Sequence, residues 1–395
     1  MSNHIYLTDL VERKFRELFN EQPLLVRSPG RANLIGEHTD YNLGYVLPCA
    51  IDKAIYFALA PRQDMKCIVH ALDKRDLFEG SIDRPRKSDK LWPNYLLGVV
   101  DELKKWGCKF GGFNCVFGGD IPIGAGLASS AALEAGLAFG LNQLFELGLD
   151  KLTLVRTAQR AENEFVGVQC GIMDQFINIF GESGSVVRID CRSLDFEYFP
   201  FYDENIAIVL FNSNVAHSLG STEYNQRRKE CQEGVNIIRQ KVGSVRSLRD
   251  VSVELLNECK SVMNPTLFRR CKYVVEENDR VLSACTALEQ KDLKTFGRYM
   301  VQTHEGLTRD YEVSCPELDY LVSLVRDDSA VYGARMMGGG FGGCTVNLVE
   351  PDRVEDLGRT VAERYFLKFG IRPEVYVTSI ASGTGIIDVN ENAKT

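Results

Sequence analysis

The sequence has 395 residues, of which 45% are hydrophobic and 25% charged, an ordinary globular composition that is long enough for two domains. Its 46 basic and 54 acidic side chains give a net charge of −8, which argues against a nucleic-acid-binding protein because such proteins carry a basic stripe. The 12 cysteines lack the close C-x-x-C spacings of zinc sites, and no apolar run reaches 18 residues. We therefore expect a cytoplasmic protein with reduced cysteines and no membrane segment.

Hydrophobic spacing and turn residues predict the elements of the first third of the chain. In chain order they are a helix over 8–20, a strand, a turn at Pro29-Gly30 and a second strand over 24–38, strands over 50–61 and 66–73, a solvated loop or hairpin over 73–90, a helix over 92–106 and a strand over 113–122. The next segment, PIGAGLASSAALEAGLAFGLNQLFELG, predicts a glycine-rich loop that leads directly into an amphipathic helix. Ser129 and Ser130 occupy the expected N-cap, and Gly148 the expected C-terminal cap.

A glycine-rich loop before a helix is a typical phosphate site, because the first helical N–H groups are unpaired and the helix dipole favours negative charge. Gly124 and Gly126 allow the backbone to approach an anion, and the two serine hydroxyls offer ligands for phosphate or magnesium. The segment matches neither the P-loop nor the dinucleotide-binding fingerprint, and the chain lacks the protein-kinase motifs. A glycine turn before an ordinary buried helix remains the alternative.

The rest of the chain predicts further helices, then strands alternating with a helix. The helical patterns cover 151–165, 222–240, 266–310 and 352–369, and the strands are VNLVE and VYVTSI. We place the domain boundary between 200 and 201, giving an N-terminal domain over 1–200 and a C-terminal domain over 201–395. A glycine cluster, GGGFGG at 338–343, indicates either a loop close to a ligand or a bulged hairpin.

Two carboxylates differ in their sequence surroundings. Glu162 continues a helical pattern and is expected to be solvated on that basis alone. Asp174 lies among apolar neighbours, so we expect it to be paired, capping or functional, since an unpaired buried charge is costly. Arg31 is one possible partner. It belongs to the segment GRANLIGEHTDY, which combines several ionisable groups with an apolar Leu34-Ile35 pair.

Three segments together resemble the motifs of one family, the GHMP superfamily of small-molecule kinases. They are GRANLIGEHTDY, PIGAGLASSAAL and GARMMGGGFGG. The first, with its continuation NLGYVLP, resembles the galactokinase branch, as do CGIMDQF, IDCRSL, NSNVAHSLGSTEYNQRR and DYEVSCPELD, so the resemblance spans roughly residues 20 to 380. It implies an α+β, two-domain GHMP kinase fold, with an N-terminal ribosomal-S5-domain-2-like α/β domain, a C-terminal ferredoxin-like domain and an active site in the cleft between them.

The resemblance also implies roles for particular residues. Asp174 would be the catalytic base and Arg31 the cation beside it, and Ser130 and Glu162 would bind Mg²⁺. The sugar-binding residues would be Glu37, His38, Thr39, Asp40, Gly171 and Tyr224. The ATP-binding residues would be Trp92 near adenine and the loop Gly124, Ala125, Gly126, Leu127, Ala128, Ser129 and Ser130. Next to Arg31 we expect the pKa of Asp174 to fall below its ordinary value of ~3.9.

The implied reaction is ATP- and Mg²⁺-dependent phosphorylation of the anomeric hydroxyl of α-D-galactose to galactose 1-phosphate and ADP, the first committed step of galactose catabolism. An N-acetylgalactosamine kinase and a non-catalytic galactose and ATP sensor are the alternatives. The intact Ser129-Ser130-Ala131-Ala132 sequence favours a kinase over the sensor. The partners would be the sugar and ATP, without nucleic acid or membrane, and we expect a monomer.

Overall fold

A computed structural model describes residues 3–122, 124–201, 205–215 and 220–387. Its α-helices are α1 (Asn3–Phe19), α2 (Leu91–Lys105), α3 (Ser129–Leu144), α4 (Lys151–Arg160), α5 (Met173–Phe180), α6 (Gly220–Lys241), α7 (Val253–Glu258), α8 (Pro265–Glu289), α9 (Leu293–Gly306), α10 (Pro316–Val325) and α11 (Val354–Phe369). Its strands are β1 (Leu24–Asn33), β2 (Tyr45–Val46), β3 (Pro48–Pro61), β4 (Lys66–Ala71), β5 (Asp76–Ser81), β6 (Phe113–Gly119), β7 (Ser185–Asp190), β8 (Phe196–Pro200), β9 (Ala207–Asn212), β10 (Val331–Met336), β11 (Cys344–Val349), β12 (Glu374–Thr378) and β13 (Gly385–Ile386).

The N-terminal part is built on a six-stranded sheet in the order β13-β1-β3-β6-β4-β5. Its central strand β3 is buried on both faces, because alternate side chains of a strand point to opposite sides. Phe57 and Leu59 face α3, where they approach Gly136 and Gly140. Tyr56 and Ala58 belong to the apolar cluster that α1 contributes to on the other face. This packing fixes α3, and with it the glycine loop, at one end of the sheet.

The C-terminal part contains a four-stranded antiparallel sheet in the order β10-β11-β9-β12. Val209 and Phe211 of β9 pack with Val361 and Tyr365 of α11 in one buried cluster. After β12 the chain returns to the N-terminal sheet, where β13 pairs with β1. A third, three-stranded sheet is formed by β2, β7 and β8.

Most predicted helices and strands are confirmed, and the mixture of helices and mainly antiparallel sheets agrees with the expected α+β class. The predicted turn at Pro29-Gly30 is wrong, because β1 continues through these residues with only a bulge between Pro29 and Arg31. The boundary at 200/201 stays a prediction, although the strand β13 of the second half joins the sheet of the first. Within the described residues, no helix combines the length and apolar character needed to span a membrane.

The caps of α3 also differ from the prediction. Ala128 is the N-cap, in the left-handed region at φ 59°, and no side chain caps the helix. The helix ends at Leu144, and Gly148 lies beyond its end. Neither serine caps the helix. Both serine hydroxyls and the first helical N–H groups therefore lie at the N-terminal end of α3.

Candidate active site

The glycine loop before α3 lies in a cleft between the two parts of the chain. Gly124, Gly126 and Ala128 all have positive φ, at 77°, 74° and 59°. The glycine cluster 338–343 packs directly against this loop, because a Cβ on Gly343 would lie 3.1 Å from the Ala125 carbonyl oxygen. The cluster also joins the antiparallel strands β10 and β11, whose pairing has a bulge between Val331 and Gly333. The hairpin expected from the sequence is therefore present, and the same loop is closely approached beside a cavity.

The polar segment that follows β1 is held by its apolar pair. Leu34 and Ile35 are fully buried, and Asp40 begins a short 3₁₀ turn over Asp40–Asn42. The carboxylate of Asp40 occupies the space beside Gly171, where an added Cβ would lie 1.8 Å from Oδ2. A side chain at position 171 would displace the Asp40 carboxylate, so the segment 170–174 and the polar turn are in close contact.

One cavity of about 390 Å³ brings together residues from all three motifs. The predicted residues that line it are Arg31, Glu37, His38, Asp40, Gly124, Gly126, Leu127, Ala128, Ser129, Ser130, Glu162, Gly171, Asp174 and Tyr224. Gly338, Gly339 and Gly340 close another side. Residues separated by up to about 300 positions in the chain thus line one open cleft.

Three predicted residues are not in this cavity. Thr39 is fully buried, and its hydroxyl lies 2.9 Å from the Gly36 carbonyl oxygen and 2.6 Å from that of Tyr45. It supports the turn from behind, which argues against direct sugar contact. Ala125 is also fully buried, and Trp92 lines a neighbouring cavity.

Asp174 is paired with Arg31, as its sequence surroundings suggested. Arg31 donates from Nε to Oδ1 at 2.9 Å and from Nη2 to Oδ2 at 3.1 Å, and it also donates from Nη1 to the carbonyl oxygen of Gly126. The cation therefore joins the acid to the glycine loop. The expected low pKa of Asp174 is wrong. The side chain of Asp174 is 29% exposed, and its partial burial raises its pKa; Arg31 only partly offsets this, and the negative charge of Glu37 adds to the rise.

His38 and Asp40 stand in the same cavity with shifted pKa values. Burial lowers the pKa of His38 to about 4, so its ring is neutral at pH 7. Nδ1 lies 2.8 Å from the hydroxyl oxygen of Tyr41, while Nε2 has no hydrogen-bond partner among the described residues. Burial, followed by the nearby charge of Asp174, raises the pKa of Asp40 to about 7. Both groups can therefore exchange hydrogen bonds with hydroxyl groups of a ligand.

The raised pKa of Asp40 predicts a pH-dependent stability effect of Asp40→Asn. Between pH ~4 and ~7 Asp40 is protonated in the folded protein but ionised in the unfolded chain. The free energy of unfolding of the wild type therefore falls as the pH rises through this range. Asparagine does not titrate. Unfolding free energies of the ligand-free proteins at pH 5 and pH 8 should show the variant gaining stability relative to wild type, by up to a few kcal/mol. The exposed Asp352→Asn serves as control, and a pH-independent difference for Asp40→Asn would contradict the assignment.

Glu37 connects the first and third motifs. Its Oε1 accepts hydrogen bonds from Arg335 Nη2 at 3.0 Å and from the Gly338 N–H at 2.8 Å. Arg335, which is fully buried in β10, also donates to the carbonyl oxygens of Asn33, Leu34 and Met336. This arginine thus holds the backbone of residues 33–34 and the carboxylate of Glu37 against the C-terminal sheet.

Two further carboxylates, Glu162 and Glu134, lie near the start of α3. Glu162 is only 6% exposed and lies in a π-helical turn over Ala161–Val166, so its expected solvation is wrong. Its Oε2 accepts a hydrogen bond from Gln175 Nε2 at 2.8 Å, and its carboxylate interacts with the Ser130 hydroxyl. Burial raises the pKa of Glu162. Glu134, fully buried beside it, has a pKa raised well above the ordinary range, chiefly by burial and then by the charge of Glu162.

The neighbouring cavity, of about 370 Å³, shares Ser129 and Ser130 with the first. Its walls include Trp92, Tyr95 and Phe117, and the Trp92 and Phe117 rings meet edge to face at 5.6 Å. Trp92 is fixed by donation of its Nε1–H to Asp76 Oδ2 at 3.0 Å. A flat apolar ligand in this cavity would be next to an anion held by the glycine loop.

Sequence reasoning missed several residues of the site. Arg335 lies within GARMMGGGFGG, where a charged residue between apolar strand positions is a signal of a buried partner. Gln175 stands beside Asp174 in the sequence and orients Glu162. Tyr41 and Tyr311 pack around His38 and share a hydrogen bond of 2.7 Å, and no spacing in the sequence indicates that pairing.

Family models match three parts of the chain. Residues 13–61 match a galactokinase galactose-binding signature, 94–182 the N-terminal domain of GHMP kinases and 284–366 the C-terminal domain of GHMP kinases. The first covers the polar motif and the second covers the glycine loop, Glu162 and Asp174.

Full-length relatives and solved structures agree with these matches. A galactokinase of Roseiflexus sp. is 42% identical over 388 residues, 98% of each chain, and one of Clostridium acetobutylicum is 39% identical over 95% of this chain and 98% of its own. The crystal structure of Lactococcus lactis galactokinase complexed with galactose superimposes with a TM-score of 0.92 at 35% identity, covering 95% of this chain and 98% of that one. Methanococcus jannaschii mevalonate kinase, at 17% identity and TM-score 0.66, shares the fold.

Proposed function

This chain belongs to the galactokinase family of GHMP kinases, and from that membership we propose that it transfers the γ-phosphoryl group of ATP to the anomeric hydroxyl of α-D-galactose. The products would be galactose 1-phosphate and ADP. The single observation that carries the proposal is the Arg31 side chain, which contacts both Asp174 and the Gly126 carbonyl oxygen. It joins the proposed acceptor side of the cavity to the proposed phosphate side.

The sugar would bind among the polar groups of the first motif. His38 and Asp40 line the same cavity as Tyr224, and the side chain of each can exchange hydrogen bonds with a hydroxyl. Glu37 has Oε1 fixed by Arg335 and Gly338, so its remaining oxygen is held in one orientation for a further sugar hydroxyl. The site is thus preorganised, which reduces the ordering cost of binding.

Asp174 would accept the proton of the anomeric hydroxyl as the oxygen attacks phosphorus. Its raised pKa makes it a stronger base than an ordinary aspartate. Arg31 holds the carboxylate in a two-point pair, so the accepting oxygen is oriented before the substrate arrives. Phosphoryl transfer depends mainly on positioning and charge stabilisation, which these groups and the N–H groups at the start of α3 are placed to supply.

The nucleotide would occupy the other side of the cavity and the cavity next to it. The phosphates would meet the loop from Gly124 to Ser130, where the helix end favours negative charge. Adenine would enter the neighbouring cavity between the aromatic side chains, with Trp92 held in place by Asp76. Ser129 and Ser130 line both cavities, so one ligand can extend from one into the other.

The residues present fit a magnesium ion whose coordination is completed by oxygen atoms of the substrate. Within the described residues no cluster of three or more His, Cys, Asp or Glu side chains could hold a metal alone. Ser130 and Glu162 offer one hydroxyl and one carboxylate, and Mg²⁺ at kinase sites takes one or two carboxylates plus phosphate oxygens and waters. When bound, the ion would neutralise charge on the phosphates. Gln175 would keep Glu162 oriented for that purpose.

Glu162→Gln should raise the magnesium concentration required for half-maximal activity by roughly tenfold or more, because the amide is a poorer ligand than the carboxylate. The measurement is a magnesium titration of the initial rate at saturating galactose and ATP. Glu164→Gln is the matched control, since Glu164 lies two positions away and pairs with Lys105 and Arg160 at the surface. An unchanged titration in Glu162→Gln would remove this residue from the proposed metal site.

Release of ADP across a panel of monosaccharides tests the proposed activity. With ATP and Mg²⁺ present, D-galactose should give the highest kcat/KM. Equal or faster turnover with N-acetylgalactosamine would favour the N-acetylgalactosamine kinase instead. Galactose binding without ADP release would favour the non-catalytic sensor, although the complete serine pair at 129–130 argues for a kinase.

A further inference from the structure

A separate cavity of about 510 Å³ lies behind the 3₁₀ turn of the sugar motif, between that turn and α6. We call it the α6 cavity. Its charged lining residues are Arg228, Lys229 and Arg246, and no acidic side chain lines it. It shares no lining residue with the 390 Å³ cavity.

Within the described residues the three cations have no acidic partner, although the chain carries a net charge of −8. Arg228 donates to the carbonyl oxygen of Gln169 at 2.9 Å, which fixes it at the wall. The carboxylate of Asp250, close to Arg246 in sequence, is already engaged by Arg192 and by two backbone N–H groups. The positive charge of the α6 cavity is therefore available to an anionic ligand.

Neutral polar groups form a further part of the lining. Asn225, Arg228 and Gln232 recur at helical spacing on one face of α6, and Gln169 and Ser247 face them from other segments. The Oδ1 of Asn225 is buried and has no hydrogen-bond partner among the described residues. An unpaired buried acceptor is costly unless a donor reaches it. Hydroxyl groups of a ligand are suitable donors.

We propose that the α6 cavity is a second binding site, for the phosphate ester of a small polyhydroxylated compound. The cations would take the phosphate, as basic side chains do in other phosphate sites, and the amides would take the hydroxyls. The product of the reaction, galactose 1-phosphate, has this chemistry, and naming it as the ligand rests on the proposed function. The site adjoins the catalytic one, because α6 also carries Tyr224, and the cavity contacts Tyr41, whose hydroxyl meets His38.

Calorimetric titration of galactose 1-phosphate into the full chain, saturated beforehand with galactose, Mg²⁺ and a non-hydrolysable ATP analogue, tests this site. With the catalytic cavity filled, about one equivalent should still bind. Lys229→Gln/Arg246→Gln should weaken this binding at least roughly tenfold, since two charge-assisted contacts are lost. The matched control is Arg156→Gln/Arg364→Gln, which removes two charges from exposed residues elsewhere and should bind as wild type does.

Absence of binding to the filled enzyme, or equal weakening in the control, would overturn the proposal. Inorganic phosphate should bind at least tenfold more weakly than the sugar phosphate. Equal affinity for both would overturn the assignment to a phosphate ester. None of these outcomes affects the ADP-release assay, so the second site can fail while the proposed activity stands.

Discussion

Asp174→Asn should lower kcat by about 10²- to 10⁴-fold while galactose binding remains measurable. The amide keeps the shape of the carboxylate and one acceptor for Arg31, but it cannot take the proton of the anomeric hydroxyl. It also loses the charge that pairs with Arg31. Initial rates at saturating substrates, with galactose affinity from calorimetry, separate the loss of chemistry from a loss of binding.

A second Arg–Asp pair supplies the control for this substitution. Asp356 pairs with Arg359 on the surface, where their side chains are 68% and 63% exposed. Asp356→Asn should leave kcat unchanged, because exposed pairs contribute little and this one lies outside the cavity. A kcat for Asp174→Asn within a few-fold of wild type would refute a role in proton transfer.

Arg335→Met should destabilise the protein by about 3–5 kcal/mol, the cost of leaving one member of a buried ion pair unpaired. Glu37 would keep only the Gly338 N–H on its Oε1 in a site that is 2% exposed to solvent. The carbonyl oxygens of Asn33 and Leu34 would lose their donor as well. Denaturant unfolding of the ligand-free protein measures the effect.

The matching control is Arg359→Met, which removes an exposed arginine and should change the unfolding free energy by about 0.5 kcal/mol or less. Combining Arg335→Met with Glu37→Gln should lower the free energy of unfolding by less than the sum of the two single effects. With both substitutions, neither side chain of the pair is left as an unpaired buried charge. A loss below about 1 kcal/mol in Arg335→Met would contradict the role assigned to this arginine.

Local sequence patterns predicted most helices and strands because they depend on spacing that the chain itself displays. The apolar repeat of 133–147 indicated α3, and β-branched and aromatic residues indicated β3. Caps were less predictable. Ser129 is a favourable N-cap residue in isolation, yet the loop geometry places Ala128 at that position in the left-handed region. Tertiary packing of the loop against 338–343 takes precedence over the local preference.

The site depends on contacts between residues that are far apart in the sequence, and local patterns do not predict such contacts. The resemblance to a family predicted that Arg31, Asp174 and the glycine loop share one site. It did not predict the buried ion pair between Arg335 and Glu37. The predicted lowering of the Asp174 pKa was wrong for a related reason. Its direction depends on whether burial or the neighbouring cation has the larger effect, and that balance is set by the depth of the cavity.

The most direct measurement of the central claim is a crystal structure with galactose, Mg²⁺ and a non-hydrolysable ATP analogue bound together. The anomeric oxygen should lie within hydrogen-bonding distance of Asp174 and face the terminal phosphate, with the phosphates against Gly124–Ser130 and adenine beside Trp92. Sugar or nucleotide bound outside these two adjoining cavities, or an anomeric oxygen directed away from Asp174, would contradict it.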